Sequence, residues 1–182
     1  MRHAIEVREA GEDDLEALRP VWLAVHRHHA ATMPELGPYV DDDVSWRERR
    51  ALYVELLDQP ATQLVVAVDG PYVVGYGLVR VLPAAASWVA DTWVTGALLG
   101  EIESLGVLPG FRGAGVGTRI LDRLESHLRR LGVEDVVLGV LPGNTAALRL
   151  YRARGYRPTW TYLSRFADRD DRRSKSSVRR QD

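Results

Sequence analysis

Between Leu105 and Thr118 the chain reads LGVLPGFRGAGVGT, with glycines at 106, 110, 113, 115 and 117 and a single arginine, Arg112, among them. Glycine at this density costs backbone entropy, so a folded chain keeps it where the backbone must turn sharply or approach something closely. A glycine-rich turn that opens a helix aims consecutive backbone N–H groups at one point, where the helix dipole also favours negative charge. The chemistry this suits is phosphate binding. Three nucleotide patterns fail on spacing. A P-loop ends in Gly-Lys-Ser/Thr, but Gly117 is followed by Thr118 and Arg119, and the only lysine is Lys175. A dinucleotide fingerprint needs G-x-G-x-x-G on a first strand, and from Gly115 the chain reads GVGTRI, without the third glycine. A kinase-type glycine loop fails on the same spacing and belongs between two strands. What fits is Arg112-x-x-Gly115-x-Gly117, after a strand and opening a helix.

Two stretches then carry a family resemblance. VLPGFRGAGVGTRIL resembles motif A of the GNAT N-acetyltransferases, where R/Q-x-x-G-x-G/A grips the pyrophosphate of acetyl-CoA. The family's lead-in, V-x-P-x-[FY]-R-G, is matched by Val107, Pro109, Phe111, Arg112 and Gly113. NTAALRLYRARGY is similar to the family's N-x-x-A-x-x-L-Y-x-x-x-G-[FY], matched at Asn144, Ala147, Leu150, Tyr151, Gly155 and Tyr156. The two motifs stand in the family's order, and the element order from Ile5 to Tyr162 suits it as well. The resemblance implies an α/β GNAT fold: a mixed, mostly antiparallel sheet with splayed parallel central strands, flanked by helices. It implies acetyl-CoA as acetyl donor. Leu105, Gly106 and Val107 would then pair with the pantetheine arm as an added strand does, and the Val107 N–H would face the oxyanion. Arg112, Gly113, Ala114, Gly115, Val116, Gly117 and Thr118 would hold the diphosphate. Asn144, Ala147 and Tyr151 are further cofactor contacts by resemblance, although capping a helix explains Asn144 equally well. Tyr151 is implied as the acid that protonates the coenzyme A thiolate; a core aromatic is the competing reading.

Acetyl transfer to an amine also needs a neutral amine. With a lysine-like pKa the amine is about 3.4 units short of neutrality at pH 7, worth roughly 4.6 kcal/mol, so a base helps within that bound. Glu101 and Glu103 share one face of the strand leading to Val107 and are the candidates, Glu103 first because it is nearer the cofactor end. The competing reading is that either glutamate faces solvent or braces the strand. The acceptor is a small-molecule or peptide amine. Asp41, Asp42 and Asp43 sit in a loop that approaches the acceptor in this family, where they either recognise a cationic acceptor or cap the next helix. His26, His28 and His29 lack a third ligand at metal spacing, so no metal is expected. A different class is a non-catalytic acyl-CoA-binding or sensing module of the same fold.

The frame around these residues is that of an ordinary globular protein. The 182 residues are 46% hydrophobic and 27% charged, with a net charge of −1, which gives no bulk attraction to nucleic acid or membrane surface. The absence of cysteine excludes disulfides, thiolate metal sites and a cysteine nucleophile. No apolar run reaches membrane-spanning length and the N-terminal stretch lacks an apolar h-region, so a cytoplasmic protein is expected, with a homodimer left open. The spacing predicts a strand at Ile5–Arg8 and a helix through Leu15, Leu18, Trp22 and Val25. A loop from Ala30 to Ser45 and a helix from Trp46 to Leu57 follow. Thr62–Leu82 is a hairpin, and Trp93–Val107 holds a long strand or second hairpin. Beyond the glycines come a helix through Ile120–Leu131, a buried strand at Val133–Leu141, a helix from Asn144 to Gly155 and a last strand at Tyr156–Phe166. Residues 1–166 form one expected domain. Residues 167–182 are a charged tail expected to be disordered.

Overall fold

A computed structural model describes residues 4–166; the expectation for the tail lies outside the described residues. Strand β1 is Glu6–Ala10, and helix α1 (Leu15–Thr32) buries Leu15, Leu18, Val21, Trp22 and Leu23. Helix α2 spans Asp42–Leu57 and starts four residues ahead of the predicted Trp46. The reason is Asp41, whose carboxylate accepts from the Val44 N–H at 2.8 Å. Asp42 and Asp43 occupy the dipole-favoured first turn. They also reach α1: Asp43 pairs with Arg19 at 2.5 Å, and Asp42 pairs with Arg27. The three aspartates therefore start α2 and tie it to α1. The predicted loop shrinks because α1 itself runs on to Thr32.

The hairpin forms as predicted, with β2 at Gln63–Asp69 and β3 at Tyr72–Pro83. Strand β4 is Leu98–Val107, helix α3 is Val116–Arg130, strand β5 is Val136–Leu138 and helix α4 is Thr145–Ala153. The sheet order is β1-β2-β3-β4-β5, antiparallel except for the parallel β4–β5 pair. Helices α1 and α2 pack on one face around Trp22, Trp46, Tyr53, Tyr76 and Leu78. On the other face α3 buries Val116, Ile120, Leu121, Leu124 and Leu128, the stripe its 3.6-residue period predicts.

Gly100, on β4, meets this helix: a Cβ there would lie 2.5 Å from Leu128 Cδ1 and 2.8 Å from Cδ2. Gly100→Ala should therefore cost roughly 1–2 kcal/mol through overpacking, read as a lower urea midpoint at unchanged m-value.

Of the two readings for Trp93–Val107 the long strand holds, beginning at Leu98. Two predicted elements differ. β5 is three residues long and half-buried, where a longer buried strand was expected. Tyr156–Phe166 forms no strand. Alternation marks residues able to line a pleat, but a strand exists only where a neighbour completes its ladder. The described residues divide into two compact units, one ending at Leu150 and one beginning at Tyr151. In the second, Gly155 closes α4 in the left-handed region at φ 89°, and the Tyr156 N–H donates to the Tyr151 carbonyl at 3.1 Å.

Candidate active site

Strand pairing fixes which part of the β4 edge is left without a neighbouring strand. On its β5 side the pairs end at Ile102 opposite Leu138. From Glu103 to Val107 no strand pairs with that edge among the described residues, as the splayed arrangement requires. On its β3 side the register slips: Leu78 opposes Ser104 while Val79 opposes Ile102, leaving Glu103 as the extra residue of a β-bulge. Glu103 is thus both the bulged residue and the first residue past the fork.

The bulge changes which way the strand faces. A Cβ on Gly100 would meet Leu128 of α3, whereas one on Gly106 would meet Val21 and Val25 of α1. Leu105 and Val107 turn to α3, lying 3.6 Å and 3.7 Å from where a Cβ on Gly117 would sit. Backbone groups alternate in step. The Leu108 N–H donates to the Val74 carbonyl of β3 at 2.9 Å, so the Leu105 and Val107 N–H groups point to the open edge.

The chain then makes a single helical turn at Pro109–Phe111 and enters the glycines. Gly113 and Gly115 hold φ of 76° and 77°, and a Cβ on either would touch nothing within 4 Å. These two need glycine for conformation, since a side chain in this region is strained. Gly117 is an ordinary helical position, where an added Cβ would make ordinary van der Waals contact with Leu105, Val107 and Leu150. Gly115 is the N-cap of α3, and the helical ladder starts with the Arg119 N–H on the Gly115 carbonyl at 3.0 Å. The N–H groups of Val116, Gly117 and Thr118 have no intrahelical acceptor and suit an anion. Ala114 is exposed beside them. Arg112 is also exposed and turns back on the strand, its Nε–H donating to the Val107 carbonyl at 2.9 Å.

Both candidate carboxylates are ion-paired. Glu103 accepts from Arg49 of α2 at 2.9 Å, and Glu101 from Arg80 of β3 at 2.6 Å. The Arg49 guanidinium lies 4.0 Å over the Trp22 ring, and the Trp22 indole donates to Ser45 Oγ at 3.0 Å. Beside Glu103, Ser104 Oγ lies 2.6 Å from the Tyr53 hydroxyl, which lies 2.8 Å from that of Tyr76. Burial pushes both phenols above their usual range, so they stay uncharged. Arg49, Tyr53, Tyr76, Arg80 and Ser104 escaped the sequence reading. The available signal was an arginine on the α2 face that carries Trp46, Tyr53 and Leu56.

Asn144 caps α4, its Oδ1 accepting from the Ala147 N–H at 3.2 Å. In the second unit, Tyr151 is buried with its ring 5.7 Å from that of Tyr156, and burial pushes its hydroxyl up to about 12. Of the histidines, His26 Nε2 meets the Val40 carbonyl at 3.0 Å. His29 is held below its usual pKa by burial first, and then by the nearby His28, His26 and Arg49 charges. Among the described residues no three His, Asp or Glu side chains are grouped to hold a metal, and no helix is long and apolar enough to cross a membrane.

A forked mixed sheet whose open strand edge leads into a glycine turn at a helix N-terminus is the architecture the resemblance implied. Residues 22–156 match the acetyltransferase (GNAT) family, and the chain belongs to it. It is 31% identical over 135 residues to a mycothiol acetyltransferase from Geodermatophilus obscurus, covering 74% of this chain and 40% of that one. The chain thus spans about two fifths of the length of this curated relative. Among solved structures, a Bacillus halodurans protein superposes with a TM-score of 0.71 at 19% identity, over 89% of this chain and 99% of that one. An aminoglycoside N-acetyltransferase in complex with CoA gives 0.64 at 18% identity, over 92% and 96%.

Proposed function

We propose that this chain transfers the acetyl group of acetyl-CoA to an amine of a small molecule or peptide, by direct attack of the amine on the thioester. The observation that carries the reading is the coincidence at Glu103. The carboxylate stands where the strand edge opens, and the same edge runs on to the anion-suited turn at Val116–Thr118. Pantetheine amides would pair with the Leu105–Val107 edge, as a peptide strand adds to a sheet. The diphosphate would take the first-turn N–H groups of α3.

In the reaction the amine lone pair forms a C–N bond to the thioester carbonyl while the C=O electrons move to oxygen. A Val107 N–H directed to the open edge stabilises that oxyanion. Collapse expels the coenzyme A sulfur, and the proton lost by nitrogen leaves through Glu103 or a water beside it. Family resemblance makes Tyr151 the acid for the departing sulfur; with its hydroxyl pushed up to about 12 by burial, its part here is to donate a hydrogen bond to that sulfur. The names of the mycothiol acetyltransferase relative and of the aminoglycoside N-acetyltransferase that shares the fold each carry a small molecule, which supports a small-molecule acceptor here without selecting a member.

A second reading, an acyl-CoA-binding module without turnover, draws on the pairing of both Glu101 and Glu103 with arginines. Thiol release from acetyl-CoA against a panel of amines separates the two. Turnover with at least one amine is expected, with Glu103→Gln lowering kcat about tenfold at unchanged acetyl-CoA affinity. Tight CoA binding with no release for any acceptor would establish the binding module instead.

A further inference from the structure

Neighbouring residues on a regular strand point to opposite faces of a sheet, so one helix cannot ordinarily grasp both. Here α2 does. Arg49 Nη1 donates to Glu103 Oε1 at 2.9 Å, and the Tyr53 hydroxyl meets Ser104 Oγ at 2.6 Å. Arg49 and Tyr53 are one turn apart on the helix, and they reach consecutive residues of β4. Only the bulge, which turns both side chains to the same face, makes this possible. Each contact is held from behind. Arg49 is stacked on Trp22, and the buried Tyr53 hydroxyl is bridged to Tyr76 on β3.

We propose that Arg49 and Tyr53 form a two-jawed clamp that fixes the bulge, and that Tyr53, acting through Ser104, is a positioning residue for Glu103. The proposal rests on the acetyl-transfer reading of Glu103. The bulge cannot slip by a whole residue, because that would turn Leu105, Gly106 and Val107 to the wrong faces. What the clamp sets is the direction of the peptide between Glu103 and Ser104, and through it the place of the carboxylate at the fork. Ground-state binding of acetyl-CoA uses the Leu105–Val107 edge and the glycine turn, whereas the Tyr53 hydroxyl bonds to Ser104 and Tyr76. Loosening the clamp therefore acts on the chemical step and leaves cofactor binding alone.

Tyr53→Phe, Ser104→Ala and Ser104→Thr test this, each assayed by thiol release and by amide spectra of the isotope-labelled protein with CoA. Tyr53→Phe and Ser104→Ala should each lower kcat about tenfold with the acetyl-CoA KM within about twofold, while Ser104→Thr, which keeps the hydroxyl, stays near the parent. In Tyr53→Phe the Glu103 and Ser104 amide resonances should shift or broaden, with those of Gly115 to Thr118 in place. An unchanged Glu103 amide in Tyr53→Phe, or equal losses in Ser104→Ala and Ser104→Thr, would overturn the clamp. No thiol release by the parent with any amine would remove the acetyl-transfer reading instead, and the amide spectra alone would then decide whether the bulge is clamped.

Discussion

Ala114→Asp is expected to fold as the parent does and to lose CoA affinity by about a hundredfold, roughly 2.7 kcal/mol. Ala114 is exposed, between two left-handed glycines and just ahead of the first turn of α3. A carboxylate there touches nothing in the core. By itself it favours the helix, since negative charge near a helix N-terminus contributes about 0.3–1 kcal/mol. A bound diphosphate reverses the sign. Like charges about 6 Å apart in a surface site of effective dielectric constant ~20 repel by roughly 2–3 kcal/mol before salt screening. Titration calorimetry with CoA and a thermal melt therefore move in opposite directions. Ala114→Asn, equal in size and uncharged, should bind within about threefold of the parent, and the Asp deficit should shrink as salt is raised. Full affinity in the Asp variant would remove the phosphate assignment of this turn.

Elements with their own period were legible in the sequence. The α3 stripe of Ile120, Leu121, Leu124 and Leu128 is a helix wherever it is placed, and Asp69-Gly70 between two β-rich runs closes a hairpin. Elements defined by a partner were not. Tyr156–Phe166 alternates convincingly and still forms no strand. Gly100 is a strand position whose missing side chain admits Leu128, a packing need set by a helix that comes later in the chain. Asp41 to Asp43 read as loop because three charges and a nearby proline suggest one. The same aspartates are helix-starting residues, and the choice depends on Arg19 and Arg27, more than a dozen residues earlier.

The site divides along the same line. The glycine turn is local, so its conformation, and the role proposed for it, follow from a dozen consecutive residues. Glu103 could be picked out as a carboxylate near the cofactor end of a strand. Its bulge could not, because register is a property of two strands together and leaves no mark on one of them. Arg49 and Tyr53 lie 54 and 51 residues from the groups they hold, and nothing in the local composition around Glu103 announces them.

Tyr151→Phe is expected to reduce kcat by about tenfold to a hundredfold at nearly constant acetyl-CoA KM, and the pH profile should show how Tyr151 acts. Burial places its hydroxyl at about 12, whereas a reference thiol titrates near 8.5. Complete transfer of the phenolic proton to a thiolate is then uphill by about 3.5 units, or roughly 4.8 kcal/mol. Donating a hydrogen bond to the developing charge carries no such cost, and the proton that finally reaches sulfur comes from the attacking nitrogen through solvent. The rate profiles of parent and Phe variant should accordingly run parallel up to about pH 10, without an alkaline limb unique to the parent. The stability sign agrees. The folded pKa is raised from 10.0 to about 12, so the contribution of the neutral phenol is complete below the unfolded value and is lost only as pH rises through the folded one. Melting temperatures of parent and variant should differ by a constant amount below pH 10 and converge above it. A parent-specific alkaline limb near pH 8 or 9 would mean that Tyr151 gives up its proton in the reaction, and unchanged turnover in the Phe variant would leave it a packing residue.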